Sequence, residues 1–233
     1  MISHQYKCIF IHIPKCAGTS LEKALGHFEN YTGRNGQDHR SIRVIEQPLI
    51  TPNMFSSKEN ISEVLLRFRY KYRTIYKKSA VTNPNNKLTV TPDQYNRYYK
   101  FTFVRNPWAR AFSWYKNVMR DPIHKQKLKM TDDLCLKDFL RLYSGKGMLR
   151  PQTYWLKSFD GSINLDYIGR FETLKEDFQA VCRAINIPQL TLPHNIKGTG
   201  EDYREYYDNE SMNIISDVYH DDINIFNYSF NSI

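Results

Sequence analysis

The sequence predicts an α/β fold with a central, mostly parallel sheet flanked by helices. Two observations lead there. Short β-branched apolar runs alternate with amphipathic stretches of helical period. Two of the junctions are strand–loop–helix units whose loops carry Gly18 or Pro107, the kind of crossover that leaves neighbouring strands parallel.

In chain order, residues 8–13 are apolar on both faces and read as a buried central strand. Pro14-Lys15-Cys16-Ala17-Gly18-Thr19-Ser20 follows as a loop, and residues 21–28 read as a helix with Leu21, Ala24, Leu25 and Phe28 at helical spacing. Residues 41–47 suit a short helix ended by Pro48. Residues 56–78 place Ile61, Val64, Leu65, Phe68, Tyr72 and Ile75 on one stripe. That pattern predicts a helix packed by its apolar stripe, with Lys58, Arg67, Arg69, Lys71, Arg73, Lys77 and Lys78 facing solvent. Residues 83–86 are turn-rich, 88–90 a short strand, and Pro92 a stop. Residues 99–104 form the next strand, Arg105-Asn106-Pro107 its turn, and the following helix runs to residue 120 with Asn106 as N-cap. A helix at 134–143, a strand at 167–171 and helices at 173–185 and 211–226 complete the reading.

The 233 residues suit one domain, 1–233, with a basic helical insertion at about 51–91. The content is 41% hydrophobic and 14% aromatic, which excludes global disorder. No apolar run approaches the ~18 residues of a membrane-spanning helix. Residues 1–12 are too short and too polar for a signal peptide, so a cytoplasmic setting is expected, although a luminal piece cut from its anchor would read the same. Cys8, Cys16, Cys135 and Cys182 lack paired spacing and read as free thiols. Lys plus Arg exceeds Asp plus Glu by 33 to 24, a net charge of +9 that calls for an anionic partner: nucleic acid, nucleotide, membrane surface or acidic polymer.

The first loop has the parts of a phosphate cradle. It opens a helix, so backbone N–H groups converge at the positive end of the dipole, and Lys15, Thr19 and Ser20 add charge and donors. Gly18 would allow tight curvature. The lysine precedes the glycine, so this is not a Walker A loop, and Thr19 with Glu22 would also serve as a plain capping box. In the second unit Arg105 ends a strand, where α/β sheets bind ligands, and Arg110 and Ser113 share a helix face. Two such sites at one sheet edge imply a ligand with phosphates at two separated positions.

With both motifs in view, the chain resembles the sulfotransferases that use 3′-phosphoadenosine-5′-phosphosulfate (PAPS), in their carbohydrate-type, family-2-like branch. The first loop is similar to that branch's 5′-phosphosulfate motif and Arg105-Asn106-Pro107 with Arg110, Ser113 and Tyr115 to its 3′-phosphate motif. Residues 167–178 and 221–228 resemble later landmarks, as does Gln152. The resemblance implies a P-loop-like three-layer fold and a site in which Lys15, Ala17, Gly18, Thr19 and Ser20 bind the 5′-phosphosulfate and Arg105 and Ser113 the 3′-phosphate. It also gives Lys15 a catalytic role on the leaving oxygen. Arg110 matches a motif position and binds the nucleotide or pairs with a carboxylate; Lys197 adds charge to the 3′-phosphate.

Hydroxyl acceptors need a base. His39 in Asp38-His39-Arg40-Ser41 falls where this branch carries a histidine, and an ordinary imidazole pKa near ~6.5 suits the task. Glu46 is the reserve, and His12 reads as a buried strand residue near the loop. The expected reaction is sulfuryl transfer from PAPS to a hydroxyl of a glycan or glycolipid, leaving adenosine 3′,5′-bisphosphate and requiring no metal. The basic helix offers a second expectation, an anionic acceptor or surface. The rivals are a P-loop nucleotide kinase and a non-enzymatic nucleic-acid-binding protein.

Overall fold

The computed structural model of the protein describes residues 1–33, 36–46, 50–76, 83–192 and 200–232, without the side chains of residues 71 and 73–76. Among the described residues four strands form one sheet in the order β1 (Ile2–Ser3), β2 (Cys8–Ile11), β3 (Tyr99–Val104), β4 (Tyr167–Arg170). β1 pairs antiparallel with β2; β2–β3 and β3–β4 are parallel, with Cys8 opposite Tyr99 and Phe101 opposite Tyr167. β2 is buried on both faces, as a central strand between helical layers must be. Its Ile9, Phe10 and Ile11 join Leu21, Leu25, Phe101, Phe103, Phe178 and Val181 in the main core.

Helix α1 (Gly18–Ala24) follows β2, α2 (Ile42–Ile45) and α3 (Lys58–Tyr76) come next, and α4 (Pro92–Arg97) precedes β3. Helix α5 (Pro107–Arg120) follows β3, with the Asn106 side chain accepting from the N–H groups of Trp108 and Ala109 as predicted. Helices α6 (Pro122–Leu128), α7 (Leu136–Tyr143) and α8 (Gln152–Leu156) lead to β4, and α9 (Leu174–Ala184), α10 (Asn209–Val218) and α11 (His220–Ile225) end the chain. A second core gathers Trp108, Phe112, Val118, Phe139, Leu140, Ile215 and Tyr219 from α5, α7 and the α10 region.

Several expectations are corrected. Residues 88–90 form no strand, and the predicted last helix breaks at Tyr219 into α10 and α11. The larger correction is α3, which packs the other way round. Ile61, Leu65, Phe68 and Tyr72 are exposed, while Asn60 and Glu63 are buried. The inward face is polar because α2 offers it polar partners. Arg43, fully buried, donates to Asn60 Oδ1 at 2.8 Å and to the Tyr154 carbonyl at 2.9 Å, and pairs with Glu59 at 2.7 Å. Glu63 accepts from the Ser41 and Tyr154 hydroxyls, and Arg67 donates to the carbonyls of Arg43 and Glu46.

Buried donors and acceptors are costly once orphaned. Arg43→Met fills the space but leaves Asn60 Oδ1 and the Tyr154 carbonyl unbonded. It should cost about 2–3 kcal/mol of stability, read as a lower urea midpoint at unchanged slope.

Candidate active site

The first loop leaves β2 and turns sharply. Lys15 (φ 69°) and Ala17 (φ 61°) both take left-handed backbone, which costs a non-glycine residue of order 1 kcal/mol and clusters at functional sites. Such turns aim successive N–H groups at one point. Ala17 is the N-cap of α1 and has no side-chain cap, so the first N–H groups of the helix, at Gly18 and Thr19, have no intrahelical partner. Glu22 is therefore not half of a capping box. It is buried, accepts from the Asp38 N–H at 2.9 Å and lies 3.0 Å from His12 Nδ1.

Gly18 has a different reason from the one its sequence position suggests. It is not among the positive-φ residues. A Cβ there would sit 1.9 Å from His12 Cδ2 and 2.1 Å from His12 Nε2. The glycine is a gap for the His12 ring.

The second loop meets the first directly. Arg105 Nη1 donates to the Lys15 carbonyl at 3.2 Å, and its guanidinium lies 3.9 Å from the centre of the Phe171 ring. Lys15 Nζ reaches α5, donating to Asn117 Oδ1 at 3.2 Å. Among the described residues neither cation is paired with a carboxylate, and Arg105 Nε is a buried donor without a partner. Burial, with Arg105 and Arg120 nearby, pulls the Lys15 pKa down to about 8. Burial lowers Arg105 as well. Two cations crowded in this way, neither in an ion pair among the described residues and with Glu172 acting on Arg105 only from beyond ion-pair distance, are poised for an anionic ligand.

Both open onto one cavity of about 800 Å³, lined also by Ala17, Gly18, Thr19, Ser20, Ser113 and His39. That volume is in the range of small-molecule sites. His39 is held at the wall by its neighbours. Asp38 and Arg40 are buried and bonded to each other (Arg40 Nη2 to Asp38 Oδ2 2.6 Å), and Arg40 Nη1 donates to the Leu88 carbonyl at 2.9 Å. His39 Nδ1 lies 3.2 Å from the His12 carbonyl. A carbonyl only accepts, so Nδ1 carries the proton and Nε2 the lone pair. Burial, then the neighbouring His12, lowers the His39 pKa to about 3, leaving a neutral imidazole.

A family model, described as Sulfotransferase family, matches residues 1–229. The chain belongs to the sulfotransferase family. No curated protein and no solved structure matches it. The strand–loop–helix of β2 and α1, leaving the carboxyl end of an interior strand of a mostly parallel sheet, is the P-loop-like arrangement expected of this sulfotransferase.

Not every expected site residue faces the cavity. Arg110 shares a helix face with Ser113, yet its guanidinium is 1% exposed and spent on backbone: Nε to the Pro14 carbonyl (3.0 Å), Nη1 to Arg150 (3.0 Å), Nη2 to Met148 (2.8 Å). In the sulfotransferase these bonds brace the first loop against the segment around Arg150. Glu46 does not line the cavity, and no described residue of 51–91 does. Lys197 lies outside the described residues.

The structure gives Gln152 a role that its resemblance to a family landmark did not, and it brings in further residues. Gln152, wholly buried, accepts from the Arg105 N–H (2.8 Å), donates to the Arg105 carbonyl (2.9 Å) and lies 3.5 Å from Cys16 Sγ, which ties the two loops together. Asp222 holds Gln152 in turn, accepting from its N–H at 2.6 Å. Glu172 accepts from the Asn106 N–H (2.8 Å) and from the Tyr228 hydroxyl (2.9 Å), pinning the second loop to the tail. His12 lines the cavity beside His39, their ring centres 4.1 Å apart. His124, which had no assigned place, forms part of the wall with Trp114. Among the described residues no His, Cys, Asp or Glu group is arranged to hold a metal, and no helix is long and apolar enough to cross a membrane.

Proposed function

We propose that this sulfotransferase moves the sulfuryl group of PAPS to a hydroxyl of a glycan or glycolipid, releasing adenosine 3′,5′-bisphosphate. One observation carries the donor assignment: Lys15 and Arg105, cations from two separate loops, meet at one cavity, and among the described residues neither forms an ion pair with a carboxylate. A ligand with anionic groups at two positions satisfies both. When bound, the donor supplies an activated sulfuryl group on a phosphate leaving group.

The residues divide the work. Ala17, Gly18, Thr19 and Ser20 hold the 5′ end through backbone N–H groups and hydroxyls. Arg105 and Ser113 hold the 3′-phosphate, where a planar guanidinium fork suits two oxygens. Lys197 is a further candidate there. The apolar wall of Phe171, Leu174, Phe178, Leu190 and Leu192 suits a purine base. Lys15 stabilises charge building on the departing oxygen. His39 takes the acceptor's proton at Nε2.

The direct test is calorimetric titration with adenosine 3′,5′-bisphosphate. Lys15 has a pKa of about 8 in the free protein, and a bound anion raises it. Binding near pH 8 should therefore take up a proton, and affinity should weaken as pH rises past that value. Lys15→Ala should lose the proton uptake and bind at least about 30-fold more weakly. Displacement of the bisphosphate by ATP at equal concentration would point to a kinase-like site instead. Radiolabelled PAPS offered with glycans, glycolipids and phenols then identifies the acceptor; label confined to phenols overturns the glycan assignment.

A further inference from the structure

We propose that the outward face of α3 seats the protein on an anionic lipid bilayer. The face is apolar at its centre. Ile61, Leu65 and Phe68 follow one another at helical spacing, 41%, 58% and 53% exposed, and Phe55 in the preceding turn is 58% exposed. This orientation is fixed. Turning the stripe inward would bury Lys58 and Arg69, and would pull Glu63 off Ser41 and Tyr154, Asn60 off Arg43 and the Phe159 carbonyl, and Arg67 off two backbone carbonyls.

The rim of the patch is cationic. Lys58 lies three residues before Ile61, Arg69 four after Leu65, and both are exposed. The acids of the same stretch point elsewhere: Glu63 into the body, Glu59 onto Arg43 at 2.7 Å. An apolar strip edged by Lys and Arg, on a chain of net charge +9, is the pattern of a helix lying in a membrane interface, with its apolar side among the acyl chains and its cations at the headgroups.

Charge also decides against two other occupants. In a symmetric dimer the patch would meet itself, bringing two cationic rims, each with Lys58 and Arg69, together. A nucleic acid would engage the cations but leave Phe55, Leu65 and Phe68 in water. The bilayer satisfies both parts of the face. The inference does not depend on sulfuryl transfer.

The test is flotation of the full chain with phosphatidylcholine vesicles and with mixed phosphatidylcholine–phosphatidylglycerol vesicles. Binding to the mixed vesicles is expected at low salt, at least about tenfold tighter than to the neutral ones. Leu65→Glu with Phe68→Glu should abolish it. Lys58→Gln with Arg69→Gln should weaken it by roughly 30-fold. All four positions are exposed, so the melting curves should match the parent. Failure to float with the mixed vesicles at low salt would overturn the proposal. So would unchanged binding by the glutamate variant, or a dimer in light scattering that the same variant splits into monomers.

Discussion

His39→Ala should lower kcat by about 10²- to 10⁴-fold, the range for loss of a general base, while adenosine 3′,5′-bisphosphate binds within about twofold of the parent. The imidazole lines the cavity but is not one of the two cations proposed to hold the phosphates. Its Nδ1 proton is committed to the His12 carbonyl, which leaves Nε2 as the basic atom. The pH dependence follows from its lowered pKa. An imidazole with a pKa of about 3 in the free protein is neutral throughout the working range. The profile of kcat/KM should therefore lack the usual histidine limb near ~6.5. Bound donor brings negative charge, which favours the protonated ring and raises that pKa. The acid limb of kcat should then lie at higher pH than that of kcat/KM. A His39→Ala enzyme with undiminished kcat would move the proton acceptor elsewhere, with His12, 4.1 Å away ring to ring, as the first place to look.

What the sequence revealed, and what it hid, follows a physical line. The β3–α5 unit was readable in detail because its signals are local: an alternating strand, then Asn106 and Pro107, whose chemistry defines a helix start. The meeting of the two loops at one cavity was readable because both leave the carboxyl ends of neighbouring parallel strands. The facing of α3 was not readable. Periodicity fixes the phase of an apolar stripe but not which side meets the body, and that side was chosen by Arg43, far off in sequence, which needed Asn60 and Glu59. Arg110 and Gln152 show the same blindness from the other direction. Both are polar residues that serve buried backbone groups, and nothing local separates such a residue from a ligand-binding one. The break at Tyr219 has no Gly or Pro to announce it. Its ring is buried in the second core and its hydroxyl donates to the Leu149 carbonyl at 2.5 Å.

Gly18→Ala should reduce affinity for adenosine 3′,5′-bisphosphate by at least about 100-fold, and the cause is a ring, not a backbone angle. The added methyl carbon would stand 1.9 Å from His12 Cδ2 and 2.5 Å from His12 Cγ. His12 cannot easily yield. Its ring is buried, with the Phe10 ring stacked 5.8 Å away and the His39 ring 4.1 Å away, centre to centre. The strain must therefore pass to the chain at residue 18, the first residue of α1. That displaces Ala17 and Thr19 on either side, and with them the N–H groups proposed to hold the 5′ phosphate. Overpacking of this kind costs about 1–3 kcal/mol, which for a chain of this size lowers Tm by roughly 2–12 °C. A second substitution separates the two causes. His12→Ala removes the ring the methyl collides with, so Gly18→Ala with His12→Ala should recover most of the lost affinity, a strong positive coupling between neighbours. If glycine were needed for backbone freedom, the double variant would bind no better than Gly18→Ala alone. If Gly18→Ala binds and melts like the parent, the loop is not held against His12 at all, and the packing that places Lys15 opposite Arg105 has another origin.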